Sequence, residues 1–404
     1  MSIASQPGAL DAFRIARLPD IQFGRQSLHR LPELIAGFGG TVLLVTGKRS
    51  FVDSGQWPAL LDTLSNLGLT WHHVSIHGEP SPERVDEIVG GYHEGRIDVV
   101  VAIGGGSTLD AAKAVAGLLR SGASVMDHLE GVGKGLPYTG PAVPLIAVPT
   151  TAGTGSEATK NAVLSQRGPE GFKKSFRDDQ LVPTIALVDP DLLASCPKAQ
   201  IAANGMDAFT QLLESHVSLN ASPPTDALSW SGMQAFLAGF WSAWEEGHPD
   251  ADAGYSRIAY ASLMSGITLA QAGLGSVHGL ASPLGAFFPM PHGEVCGTLL
   301  AEATDINIAA LRERSTTPVA LEKYARVGRL LSGETGLDDQ DACDALVAEL
   351  REWTRRLDMP RLSHFGMGRE DLDRVVANAR GGSMKTNPLV LTDAELTSLL
   401  SRRL

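Results

Sequence analysis

The chain has 404 residues, 43% of them hydrophobic and 19% charged, with a formal net charge of −12. That length exceeds one ordinary core and predicts two domains. The charge argues against non-specific nucleic-acid binding and against an anionic membrane as partner. Cys196, Cys296 and Cys343 are odd in number and too widely spaced for a disulfide framework or a thiolate metal motif. No stretch is apolar enough to span a bilayer. The first twenty residues lack a basic start followed by an apolar run, so no signal peptide is expected and the cytoplasm is the expected compartment.

Residues 13–31 read as one or two short opening strands leading into a helix over 27–35. TVLLVT at 41–46 is an unbroken β-rich run, as in a parallel sheet covered on both faces, and it ends at Gly47, Lys48 and Arg49. Helical spacing over 59–67, a strand over 70–76 and a helix over 81–90 follow. IDVVVAI at 97–103 is then succeeded by Gly104, Gly105, Gly106 and Ser107 and a helix over 111–119. This alternation implies right-handed crossovers in an open, mostly parallel sheet.

Two turns carry chemistry. Three glycines between a buried strand and a helix let backbone approach a pyrophosphate at the helix N-terminus, where Asp110 would complement the dipole; a tight turn needing glycine explains them equally well. A second strand over 143–148 ends in PTTAGTGSE at 149–157, where Thr150, Thr151, Thr154 and Ser156 alternate with glycines. Hydroxyl donors with close backbone approach suit a ribose, a phosphate or a nicotinamide carboxamide; an ordinary polar loop is the plainer reading. Lys173 and Lys174 precede a strand over 184–188. From about residue 194 the β-rich runs stop. Helices are expected over 200–218, 224–246, 256–272, 278–287, 293–311, 320–331, 338–357 and 369–379, with a tail over 391–403 opened by Thr392 and Asp393. The expected division is an α/β dinucleotide-binding domain at 1–192 and an all-α domain at 193–404.

LGSVHGLASPLGAFFPMPHGEVC at 274–296 places His278 and His292 among small and apolar residues. A buried imidazole needs a partner for each ring nitrogen: backbone carbonyls would serve, and so would a metal ion or a substrate. GGGSTLDAAKA at 104–114, PTTAGTGSEAT at 149–159, IALVDPDLL at 185–193, GMDAFTQLLE at 205–214, VHGLASPLGAFFPMPHG at 277–293 and GGSMKTNPLVLTDAEL at 381–396 together resemble the iron-containing (group III) alcohol dehydrogenases. The resemblance runs through the whole chain. It implies the dehydroquinate-synthase-like fold, with cofactor and substrate meeting between the two domains.

The family pattern holds one divalent metal, Fe²⁺ or Zn²⁺, on an Asp and three His. Carried over, Asp207, His278 and His292 would be ligands. Residue 211 is Gln where the family usually has His, and Ser282 stands where a further His is often found. Gln211 would then be a weaker oxygen ligand; alternatively the metal is lost and Gln211, Ser282 or a histidine donates a hydrogen bond to the carbonyl. The resemblance further implies a primary alcohol and its aldehyde, or a related hydroxy/oxo pair, as substrate. It places the pyrophosphate on the glycine turns, the nicotinamide near Thr150 and Thr151, and a ribose hydroxyl on Lys173. NAD-preferring members tend to carry an Asp after the second strand; Gly47 removes it and Lys48 or Arg49 could pair with a 2′-phosphate, which favours NADP over NAD. A dehydroquinate-synthase-like lyase and a non-catalytic dinucleotide binder are the rival readings. His216, on the helix of Asp207 and Gln211, is a further histidine to follow. A homodimer through the opening strands is expected.

Overall fold

The computed structural model describes residues 12–404 except Pro169 and Thr316. The first eleven residues, on which the signal-peptide expectation largely rests, lie outside them.

Six strands form one parallel sheet in the order β1-β8-β5-β4-β2-β3: β1 (Asp20–Phe23), β2 (Thr41–Gly47), β3 (Thr70–Ile76), β4 (Val99–Gly104), β5 (Leu145–Pro149) and β8 (Ile185–Val188). The unbroken apolar runs are explained by cover on both faces. Leu43 and Val45 of β2 and Val100 and Ala102 of β4 pack with α3 (Pro82–Tyr92) and α4 (Gly106–Leu118). The alternate residues Val42, Leu44, Val99 and Val101 pack with α1 (Leu31–Ala36) and α2 (Gln56–Asn66). Side chains of successive strand residues point to opposite faces, so a strand buried on both needs apolar residues at every position.

The strand order has a functional consequence. From β2 the chain crosses outward to β3; from β4 it crosses the other way to β5. The connections diverge between β2 and β4, which opens a crevice beyond their carboxyl ends, at Gly47 and Gly104.

An antiparallel ribbon, β6 (Asn161–Gln166) with β7 (Phe172–Arg177), was not expected from the sequence. Its mixture of polar and apolar residues carries no clear period of two, and Lys173 and Lys174, which precede β8 as read from the sequence, lie within β7.

The remainder is helical: α5 (Lys198–Val217), α6 (Pro223–Trp244), α7 (Ala251–Ala272), α8 (Ser276–Phe287), α9 (His292–Arg314), α10 (Val319–Ser332), α11 (Asp339–Arg356), α12 (Leu372–Asn378) and α13 (Asp393–Ser401). Thr392 opens α13 as its composition suggested: its side chain accepts from the Glu395 amide while the Glu395 carboxylate accepts from the Thr392 amide. α5 runs through the centre of this part and is buried along nearly its whole length. The sheet side and the helical side touch closely where Gly155, with φ of 58°, meets Gly266 of α7; a Cβ on Gly155 would stand 2.3 Å from the Gly266 Cα. Among the described residues no helix is long and apolar enough to cross a membrane.

Candidate active site and metal centre

The two glycine turns pack on each other. An added Cβ would stand 2.5 Å from the Thr108 hydroxyl at Gly104, 3.2 Å from that of Thr151 at Gly105, and 2.6 Å from the Thr154 methyl at Gly106. These glycines therefore serve close packing of turn on turn as well as any ligand. Thr150 is buried and its amide donates to the Gly104 carbonyl. Asp110 and Ser156, both expected at the cofactor, line the cleft between turn and cluster and bond to one another there. The Ser156 hydroxyl donates to Asp110, whose other oxygen accepts from the Val163 amide at 3.2 Å. The fully buried Lys113 lies 3.0 Å from Asp110 and donates to Thr159 at 2.9 Å. A buried ammonium is tolerated only when paired in this way. The Asp110–Lys113 pair thus braces the turns at the start of α4. The amides of Gly106 and Ser107, at the start of α4, donate to no acceptor among the described residues and remain open to an anion.

Opposite lies the donor cluster. Asp207 comes from α5, His278 from α8 and His292 from the first turn of α9. Two glycines bring α9 against α5: a Cβ at Gly293 would stand 2.5 Å from the Ala203 carbonyl oxygen, and one at Gly297 3.1 Å from the Met206 Cβ. Asp207 Oδ1 lies 3.2 Å from His278 Nε2 and 3.7 Å from His292 Nε2. A fourth donor, Cys296, was missed in the sequence because only paired or clustered cysteines were weighed as metal ligands. It sits one turn after His292, with its sulfur 3.7 Å from His278 Nε2 and 3.8 Å from His292 Nε2. One ligand atom of each of the four lies within 4.8 Å of all the others. Separations near 3.2–3.8 Å are the edges of a tetrahedron whose bonds are about 2.0–2.3 Å, the range for oxygen, nitrogen and sulfur on zinc. The residues present fit a divalent metal.

Glu214 also escaped the sequence reading, although it lies seven residues after Asp207 and so shares its helix face. Its carboxylate takes the His278 Nδ1 proton at 2.6 Å and the Val277 amide at 2.7 Å, which aims His278 Nε2 into the cluster. Burial pushes the Asp207 carboxyl up, but His292 and His278 outweigh it and hold it down at about 2. Burial works against a charged His278 as well; Cys296, Asp207 and Glu214 around it raise it well above the usual range.

The two replaced positions behave differently from expectation. Gln211 does not offer its oxygen to the cluster: that atom accepts from the buried Ser265 hydroxyl at 2.7 Å, while the Gln211 amide donates to Asp207 Oδ1 at 3.1 Å. Ser282 lies outside the cluster and donates to the Lys173 carbonyl at 3.1 Å. Nor does His216 join: its ring faces Ser229 at 2.9 Å and Trp230 behind it.

A cleft of about 310 Å³ connects turn and cluster. Gly106, Ser107, Thr154, Lys173, His278 and His292 are among the residues lining it. Lys173 reaches Glu79 at 2.6 Å within it. His292 Nδ1 and Glu79 Oε2, two buried polar atoms without a hydrogen-bond partner among the described residues, belong to residues of its lining, as fits a polar occupant. A larger hollow of about 670 Å³ beside Glu294, Asp358 and Arg361 includes none of the four donors. Lys48 and Arg49 are exposed at the end of β2, beside the crevice, and form no ion pair among the described residues.

Residues 19–190 match the family model "iron-containing alcohol dehydrogenase", and residues 201–404 its C-terminal counterpart. The long-chain-alcohol dehydrogenase 1 of Geobacillus thermodenitrificans is 31% identical over 96% of this chain and 95% of its own length. Lactaldehyde reductase of Escherichia coli is 30% identical over 87% of this chain and 88% of its own length. A crystal structure of 1,3-propanediol oxidoreductase covers 98% of this chain and 100% of its own with a TM-score of 0.87 at 26% identity. With both halves of the chain matched and the sheet, helices and donor cluster in place, this protein belongs to the iron-containing alcohol dehydrogenase family.

Proposed function

We propose that the cleft interconverts a primary alcohol, or a related hydroxy compound, and its aldehyde by hydride transfer to and from a nicotinamide dinucleotide. The observation that carries this reading is one continuous cleft with open helix-terminal amides on one side and, on the other, His278 and His292, behind which Asp207 and Cys296 complete the donor cluster. Membership of an alcohol dehydrogenase family sets aside the lyase and the non-catalytic binder.

In this reading the Gly106 and Ser107 amides and the N-terminus of α4 receive the pyrophosphate. Thr150 and Thr151 stand on the nicotinamide side. Lys173, with one ammonium proton engaged by Glu79, keeps two for a ribose hydroxyl. Asp207, His278 and His292 would hold the metal, with Cys296 beside them. When bound, a divalent ion there supplies Lewis-acid polarisation of the alcohol or carbonyl oxygen. Glu214 keeps the His278 ring oriented, and Gln211 keeps the Asp207 carboxylate in place. The metal-bound reading is favoured over the metal-free one because four donor atoms converge within bonding range of one point, whereas the Ser282 hydroxyl is engaged by the Lys173 carbonyl and one proton of the Gln211 amide by Asp207.

We read the dinucleotide as NADP(H) rather than NAD(H), supported by Gly47 and the unpaired Lys48 and Arg49 at the crevice. Exposed Phe13, Ile15 and Phe23 near the edge strand β1 support a homo-oligomer through that edge. Three free cysteines suit a reducing cytoplasm.

The test is metal content of protein purified without chelator, with aldehyde reduction by NADPH and NADH before and after EDTA. Stoichiometric metal and chelator-sensitive turnover are expected. Full activity of metal-free protein would overturn the metal-bound reading, and absence of any alcohol or aldehyde turnover would overturn the reaction class.

A further inference from the structure

The α5 position expected to carry a third imidazole carries Gln211, and its oxygen is turned away onto Ser265. The cluster nevertheless has four donors, because α9 presents two in succession. His292 and Cys296 are four residues apart and face the same way, and Gly297 lets that face approach Met206, one residue before Asp207. Cys296 is fully buried, and its sulfur contacts both imidazoles rather than an apolar neighbour alone. An ordinary core cysteine needs no polar contact; one equidistant from two ring nitrogens and beside a buried carboxylate has the environment of a ligand.

We propose that Cys296 is the fourth protein ligand of this chain's metal centre, supplying from α9 the donor that Gln211 withholds on α5. The proposal rests on the metal-bound reading above. It replaces a nitrogen-rich donor set with one of oxygen, two nitrogens and sulfur, which shifts selectivity toward zinc and away from iron, since a thiolate is the softer ligand. On binding, the Cys296 S–H bond breaks, a sulfur–metal bond forms and the proton leaves to solvent; no electron is transferred. Gln211 becomes a positioning residue, holding Asp207 through its amide.

The experiment uses the full-length chain stripped of metal and titrated with Co²⁺ and with Zn²⁺. The wild type is expected to bind one Co²⁺ per chain with an intense near-ultraviolet sulfur-to-cobalt charge-transfer band. Cys296→Ser should lose that band and weaken Zn²⁺ binding by more than about 100-fold, beyond the loss typical of a disrupted supporting contact. Adding Gln211→His to Cys296→Ser should recover affinity without the band and lower the ratio of zinc to iron affinity. One Co²⁺ per chain without a sulfur band in the wild type overturns the proposal and leaves the metal reading standing. A band that survives in Cys296→Ser also overturns it. If the wild type binds no metal, both fall. The wild-type spectrum decides the matter even where the serine variant folds poorly.

Discussion

Across the cleft, the turns at Gly104–Gly106 and 153–155 sit at the ends of two adjacent strands, whereas Asp207, His278, His292 and Cys296 arrive from three helices. Each turn is a few consecutive residues whose shape is dictated by contact: a Cβ at any of the three glycines would stand within 3.2 Å of a threonine. The donor cluster obeys a different rule. It needs four donor atoms within bonding distance of one point, and any neighbouring helix position may supply one. Gln211 and Cys296 illustrate this: a donor is withdrawn from α5 and another stands ready on α9. The comparison teaches that the shape of a contiguous loop is set by contacts among its own residues, while a convergent site is set by how separate helices pack.

The comparison can be broken most sharply at the cluster. Asp207→Asn keeps the side-chain shape but removes the charge, and should release the metal and lower kcat/KM by about 10³-fold or more, a loss of several kcal/mol of oxygen stabilisation. Metal analysis and steady-state rates check this; wild-type rates in metal-free Asp207→Asn would refute it. Glu214→Gln should weaken metal binding by about 10- to 100-fold, because His278 loses the carboxylate that orients it. A competition titration reads the change.

On the turn side, Gly106→Ala should cost about 1–3 kcal/mol in urea unfolding and raise the dinucleotide KM, through collision with Thr154. Pairing it with Thr154→Ala should return most of the stability, and no recovery would mean that the Thr154 contact is not the source of the loss.

Away from both regions, His216 gives a pH test. Burial holds its imidazole down at about 3, against 6.5 when unfolded, so the unfolded chain binds more protons between those values. Its contribution is complete above pH 6.5 and is lost as pH falls. Glu157 opposes it: burial lifts that carboxyl from 4.5 to about 7, so its contribution is lost as pH rises through that window. Other shifted histidines, His292 among them, add to the wild-type slope. The stability difference between wild type and His216→Gln should shrink by about 2 kcal/mol from pH 7 to pH 5, measured by denaturant titration at both. The smallest expected effect is Lys48→Ala, which should raise KM for NADPH about tenfold, or about 1.4 kcal/mol, and leave NADH unchanged; equal effects on both cofactors would remove Lys48 from the 2′-phosphate.

Much of this architecture was legible in the chain. The runs at 41–46 and 97–103 suited strands covered on both faces, the glycines after 103 suggested a close approach to a ligand, and Asp207, His278 and His292, which the structure brings together, were named from the family pattern around them. The β6–β7 ribbon was not legible, because its alternation is broken by Lys173, Lys174 and Ser175, whose placement is settled by the cleft they line. The fates of Asp110 and Ser156 were equally hidden, since a serine and a carboxylate far apart in sequence announce nothing of their bond.

The sequence by itself determined most of the elements, the β6–β7 ribbon excepted, because periodicity and turn chemistry are local properties of neighbouring residues. Only the tertiary structure decided which side chains converge. Cys296 joined two histidines, Gln211 turned its oxygen to Ser265, Glu214 took His278 and His216 turned to Ser229 because of how helices distant in sequence pack, and glycines at 293 and 297 set how closely α9 meets α5.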